Sequence, residues 1–225
     1  VVDLNKEIVF ASSNPEVSHV ISRLAKEGKL RKIAPRLYTT NLIDSPEGII
    51  RRNILNILMW RFPGAVISHR SAREMRMTDE GYFFLTGTYN RKITDLPGVT
   101  VVVCKGPEAD KGDTVFGQMF IAGEYRWMLE NMQESRRTAE ESKTLPVDVI
   151  EKKLGSVLLA SGEDGLNAYR DALRETSERL GMHKEFKKIN VIISALLATH
   201  DAKMLKTSFA QSLSVGMKYD EKRFV

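Results

Sequence analysis

The chain has one cysteine, Cys104, in 225 residues, which rules out an internal disulfide and a cysteine-rich zinc site. A reducing, cytoplasmic setting is the expectation that follows. Its four histidines, His19, His69, His183 and His200, stand singly. No HExxH, HxH or cysteine–histidine spacing occurs, so no metal or other cofactor is expected. Long apolar runs are missing as well. The longest, Ile189 to Ala198, is interrupted by Asn190 and Ser194 and is half the length that crosses a bilayer, so no membrane partner is expected. The first ten residues carry Asp3 and Glu7 and lack the basic-then-apolar layout of a secretory signal. Phosphate-cradling signatures are absent too: Gly106, Gly112, Gly117 and Gly123 are dispersed, and no Walker or GxGxxG pattern appears. Gly155-Ser156 is not followed by the paired aspartates of a nucleotidyltransferase. His69-Arg70-Ser71 and Arg73 have no orienting carboxylate at a recognisable spacing. An enzyme is therefore not the expectation.

What is present is a positive charge in one place. The net charge of +5 is modest for a chain of this length. Yet Arg23, Lys26, Lys29, Arg31, Lys32 and Arg36 lie within fourteen residues, opposed only by Glu27. The rest of the chain holds 28 basic and 28 acidic residues, so the whole excess is local.

The local pattern gives this charge a scaffold. Ser13-Asn14-Pro15-Glu16 reads as a capped helix start, with Ser13 as the cap. Val17, Val20, Ile21 and Leu24 recur at helical spacing, and Glu27-Gly28 ends the helix. Leu30–Ile33 and Leu37–Thr40 around Ala34-Pro35-Arg36 read as a β-hairpin. A helix followed at once by a basic hairpin is the layout of a winged helix-turn-helix. The face opposite the apolar stripe carries Ser18, His19, Ser22, Arg23 and Lys26, residue types that suit contact with base edges. Lys29, Arg31, Lys32 and Arg36 on the hairpin suit phosphates.

Further on, Ser45-Pro46 opens a mostly buried helix that Pro63-Gly64 stops. Strands are expected at Ala65–Ser68, Tyr82–Leu85, Val99–Cys104 and Gln118–Ile121, with a short helix at Ser71–Met75. From Glu124 onward the pattern is helical, with helices expected over Glu124–Gln133, Pro146–Leu159, Gly165–Leu180 and Lys184–Ala198, and a weaker one over Ser208–Val215. Met128, Met132 and Met182 read as core. Tandem Arg51-Arg52 and Arg136-Arg137 read either as surface charges or as phosphate contacts. The expected fold is α+β: a winged-helix-like unit over 1–44, a small mixed α/β region over 45–135, and a helical part over 136–225.

Two stretches resemble a known family. Val20-Ile-Ser-Arg-Leu-Ala-Lys-Glu-Gly-Lys-Leu-Arg-Lys-Ile-Ala-Pro-Arg-Leu-Tyr38 is similar to the winged helix of AbiEi-type antitoxins, and Gly64-Ala-Val-Ile-Ser-His-Arg-Ser-Ala72 is similar to the segment that follows it there. Ile150-Glu151, Leu166–Asp171, Ile193–Thr199 and Gly216–Asp220 resemble the region ahead of the catalytic domain in Fic-type proteins with an AbiEi-like front end. The resemblance implies a cytoplasmic antitoxin that binds its own operator DNA, with a nucleotidyltransferase-like toxin as partner. The alternative it implies is a regulatory module of a Fic-type adenylyltransferase, whose catalytic part would lie beyond Val225 and which would make protein contacts. Two departures stand out. Arg36 occupies the place of a family glycine before Leu-Tyr, and only twelve residues precede Ser13, too few for the usual leading helices.

Overall fold

In the computed structural model of the chain, residues 2–135 and 141–220 are described, with side chains through 202. The tandem Arg136-Arg137 lies outside the described residues. The chain divides into two compact units, Val1–Leu145 and Pro146–Val225. It is a mixed α/β protein with two sheets and a helical C-terminal unit.

The first unit begins with β1 (Ile8–Phe10), α1 (Pro15–Lys26), β2 (Arg31–Ala34) and β3 (Leu37–Thr39). The strands form an antiparallel sheet in the order β1-β3-β2. Asn14, one residue later than expected, caps α1: its side chain accepts the Glu16 N–H at 2.9 Å, and Pro15 fills the first helical position. Gly28, at φ 70°, takes the left-handed turn after the helix.

Side chains alternate across this small sheet. Val9 and Tyr38 point toward α1, where Ile21, Leu24 and Leu30 complete a small core. Ile8, Phe10 and Leu37 point the other way, into the main core. That core continues through α2 (Pro46–Arg52) and α3 (Ile54–Arg61), with Ile49, Ile50, Ile57 and Leu58 fully buried. The N-terminal sheet and the following α/β region thus share one apolar interior.

The single helix expected from Ser45 to Pro63 is two helices broken at Asn53. Asn53 leaves helical geometry at φ −106°, and its side-chain amide donates to the Ile49 carbonyl (2.9 Å) and to Glu7 Oε2 (2.7 Å). A short amide that hydrogen-bonds the backbone competes with the helix ladder.

The second sheet has six strands in the order β6-β7-β5-β4-β9-β8: β4 (Val66–Ile67), β5 (Tyr82–Gly87), β6 (Arg91–Leu96), β7 (Val99–Lys105), β8 (Thr114–Phe116) and β9 (Met119–Ile121). β5 and β7 are parallel, as are β4 and β9, and the other pairs are antiparallel. The β-branched run at Val99–Val103 lies in an interior strand, as its composition suggests. α4 (His69–Glu74) and α5 (Glu124–Glu130) complete the unit.

The second unit is a pair of long helices, α6 (Val147–Leu180) and α7 (His183–Asp220). Gly162, at φ 67° and ψ −168°, interrupts α6, and Gly181 at φ 68° closes it. Contacts of Arg174 with Phe186 and of Glu163 with His200 show that the two helices run antiparallel. No helix among the described residues is long and apolar enough to cross a membrane.

Candidate nucleic-acid interface

Helix α1 is amphipathic, and its packing decides which side chains are available. Ile21 and Leu24 are buried against the sheet, contributing about 1.5–3 kcal/mol each. Ser18, His19, Ser22, Arg23 and Lys26 are all exposed. Lys29, on the turn after the helix, and Lys32, on β2, are exposed as well. Glu27 sits among these cations, 2.9 Å from Lys29 Nζ and 3.7 Å from Arg23 Nε. The Lys29 ammonium first, and Arg23 after it, hold the Glu27 carboxyl below its ordinary value. All three side chains are 41–70% exposed, so the pairs leave the cations open to solvent and to competing anions.

Two of the nine expected contact residues are engaged differently. Arg31 is half-buried, and its guanidinium donates to the carbonyls of Asn41 (3.2 Å) and Asp44, tying the start of β2 to the linker after β3. Arg36 is exposed at the hairpin tip, with its guanidinium 5.5 Å from the ring centre of Trp60. Trp60 in turn stacks on Phe10 at 4.7 Å. Arg36 has a φ of 61°, the left-handed region that favours glycine.

A polar joint with no local sequence signal gathers around Glu7. Glu7, just before β1, accepts from Arg52 through both carboxylate oxygens, from Asn53 (2.7 Å) and from Asn41 (3.1 Å). Arg52 also pairs with Asp44 at 2.6 Å. Arg52, followed by the two amides, lowers the Glu7 carboxyl to about 2 against the opposing effect of burial. The partners lie 34 to 46 residues from Glu7, so no local pattern announces them. Of the tandem Arg51-Arg52, Arg52 is thus held by carboxylates, and Arg51 donates to the Gly98 carbonyl at 3.4 Å.

The histidine segment at the end of β4 has a different character. His69 is buried, with a φ of 52°. Its backbone N–H donates to Glu130 Oε2 (2.9 Å), while the ring contacts Ser68 Oγ (2.8 Å) and Gln133 Oε1 (3.1 Å). Glu130 also accepts from Arg126 (2.9 Å), which pairs with Asp113 (2.6 Å) and donates to the carbonyls of Pro107 and Glu108. A carboxylate does meet this segment, then, from sixty-one residues away and on the backbone. Every group in this buried cluster is hydrogen-bonded, as an interior polar network must be. Beside it opens a cavity of about 660 Å³, lined by Arg61, Phe62, Thr86, Tyr89, Glu108 and Phe120 among others.

The exposed residues of α1, the turn after it and β2 can offer hydroxyls, one imidazole and a row of cations. Compared with known protein families, with curated proteins and with solved structures, the chain matches none.

Proposed function

We propose that the chain is a DNA-binding regulator of the AbiEi-like antitoxin type, working in the cytoplasm through α1 and the β2–β3 hairpin. The observation that carries this reading is the exposed face of α1, where Ser18, His19, Ser22, Arg23 and Lys26 all reach solvent while Ile21 and Leu24 anchor the helix. A helix with short hydroxyls on its outer face approaches the floor of the major groove closely, and arginine and lysine there reach base edges or phosphates. Lys29 and Lys32 extend the cationic row onto the hairpin. The β1-β3-β2 sheet behind the helix supports a winged-helix reading, since its hairpin directly follows the helix that would enter the groove. Arg31 serves this reading by fixing the hairpin to the linker, and Arg36 by presenting charge at the hairpin tip. A nucleotidyltransferase-like toxin is the partner such an antitoxin would counter.

Binding to the DNA upstream of its own gene, measured by fluorescence anisotropy across a salt series, tests the proposal. If Arg23, Lys26, Lys29 and Lys32 each neutralise one phosphate, log affinity falls against log salt with a slope of roughly −3.6. Replacing Lys29 and Lys32 with glutamine is expected to lessen the steepness by roughly 1.8. Reversing the charge at Arg23 and Lys26 with glutamate is expected to abolish binding. An absence of binding at low salt sinks the proposal and returns the chain to a module that makes protein contacts.

A further inference from the structure

Unit 2 carries a second chemistry-bearing group. The break in α6 at Gly162 uses a backbone conformation essentially reserved for glycine, and the chain re-enters the helix at Glu163. On α7, His200 and Asp201 lie at the same level. His200 Nδ1 is 2.7 Å from Glu163 Oε1, and one donor atom from each of Glu163, His200 and Asp201 lies within 4.8 Å of the others. We propose that these three side chains form a binding site for a divalent transition-metal ion, with zinc the ion whose preferences fit them best.

Geometry and donor chemistry both bear on this. A tetrahedral zinc ion with bonds of about 2.0–2.1 Å separates its ligand atoms by roughly 3.4 Å. His200 Nδ1 and Glu163 Oε1 are 2.7 Å apart and all three donor atoms lie within 4.8 Å of one another, a spread that side-chain rotations can bring to that value. One imidazole nitrogen with two carboxylates favours zinc or its neighbours over calcium and magnesium, which prefer all-oxygen shells. Ligands drawn from two facing helices are a common way for helical bundles to hold a metal. The site also has open coordination, because three protein ligands leave room for water or a further donor.

The ion would tie the interrupted point of α6 to α7, where Gly162 otherwise leaves the helix without a continuous backbone ladder.

The test uses the full chain without an affinity tag, stripped with a chelator and titrated with zinc chloride by calorimetry. Cobalt(II) with visible absorption serves as the spectroscopic probe. One equivalent is expected to bind and to raise the melting temperature of the helices. His200→Ala and Asp201→Asn are each expected to weaken zinc binding by about tenfold or more. Each is also expected to remove the cobalt absorption of a low-coordinate site. His183→Ala, at the far end of α7, is expected to leave both unchanged. Circular dichroism on each variant separates loss of a ligand from loss of the helix. Should His200→Ala fail to fold, the exposed Asp201→Asn carries the test. No saturable binding of zinc by the folded chain, or binding that survives both substitutions, overturns the proposal.

Discussion

At the residue scale, two turns of the same kind make Arg36 informative. In Leu96-Pro97-Gly98-Val99, which joins β6 to β7, proline is followed by Gly98 at φ 69°. Ala34-Pro35-Arg36-Leu37, which joins β2 to β3, has proline followed by Arg36 at φ 61°. This is the type II pattern, whose second central position strongly prefers glycine. An L-residue held there costs roughly 1–2 kcal/mol. The arginine side chain offsets part of that through its position over Trp60. Two variants separate these effects. Arg36→Ala keeps the strained backbone and loses the ring contact, so it is expected to be the least stable form. Arg36→Gly loses the contact but relieves the backbone, and urea unfolding is expected to place it about 1 kcal/mol above the alanine variant. Equal stabilities would remove the argument for strain at this turn.

At the element scale, what was legible depended on where each element's contacts lie. α1 and the β2–β3 hairpin could be read because their apolar spacing, terminating glycine and turn residues are all local. The expected cap of α1, Ser13, gives way to Asn14, since serine and asparagine both cap well and the geometry selects Asn14. Three strands, β1, β6 and β8, carry no such local signal. β1 is only three residues long, and its role depends on pairing with Leu37–Thr39 across the intervening helix. In β6 the buried residues are Ile93 and Leu96, three apart because the register shifts between them, so the alternation that marks a strand is lost. β8 is a short edge strand with little burial. The break at Asn53 and the joint around Glu7 were equally hidden, because neighbours distant in sequence create them. The Glu163–His200–Asp201 group has ligands 37 residues apart on two helices, so no spacing rule finds it.

The Glu7 joint yields a prediction at this scale. Glu7→Gln keeps the shape but loses the charge that Arg52 pairs with, and a cost of about 1 kcal/mol is expected at neutral pH because the pair is open to solvent. The folded carboxyl lies at about 2, below its ordinary value of 4.5. Its contribution is therefore present above about 4.5 and is lost as pH falls toward 2. The gap between wild type and Glu7→Gln, from urea unfolding at several pH values, is expected to close across that interval. A gap independent of pH would mean the carboxylate's charge is not what holds β1 to α2.

For the whole molecule, the two units can be followed separately because both tryptophans, Trp60 and Trp127, lie in Val1–Leu145. Tryptophan fluorescence reports that unit alone, while the far-ultraviolet dichroism draws heavily on α6 and α7. His69 makes the first unit sensitive to acid. Burial is the largest influence on its ring and pushes it below the ordinary histidine value; Glu130 opposes this, while Lys143 and Arg126 reinforce it. Below about pH 6.5 the unfolded chain takes up a proton that the folded chain refuses. The unfolded state then binds more protons, so stability falls as pH falls, by up to about 1.4 kcal/mol per pH unit, until the folded histidine also titrates. Above about 6.5 this contribution is fully present. The fluorescence-detected urea midpoint is accordingly expected to drop between pH 7 and pH 5. His69→Asn tests the assignment, since asparagine tolerates a positive φ and does not titrate. The variant is expected to be less stable at neutral pH, because the Gln133 contact is lost, but to have a flatter dependence over this range. An equal slope in the variant would show that the acid sensitivity of the first unit arises elsewhere than in the buried histidine that Ser68, Glu130 and Gln133 hold in place.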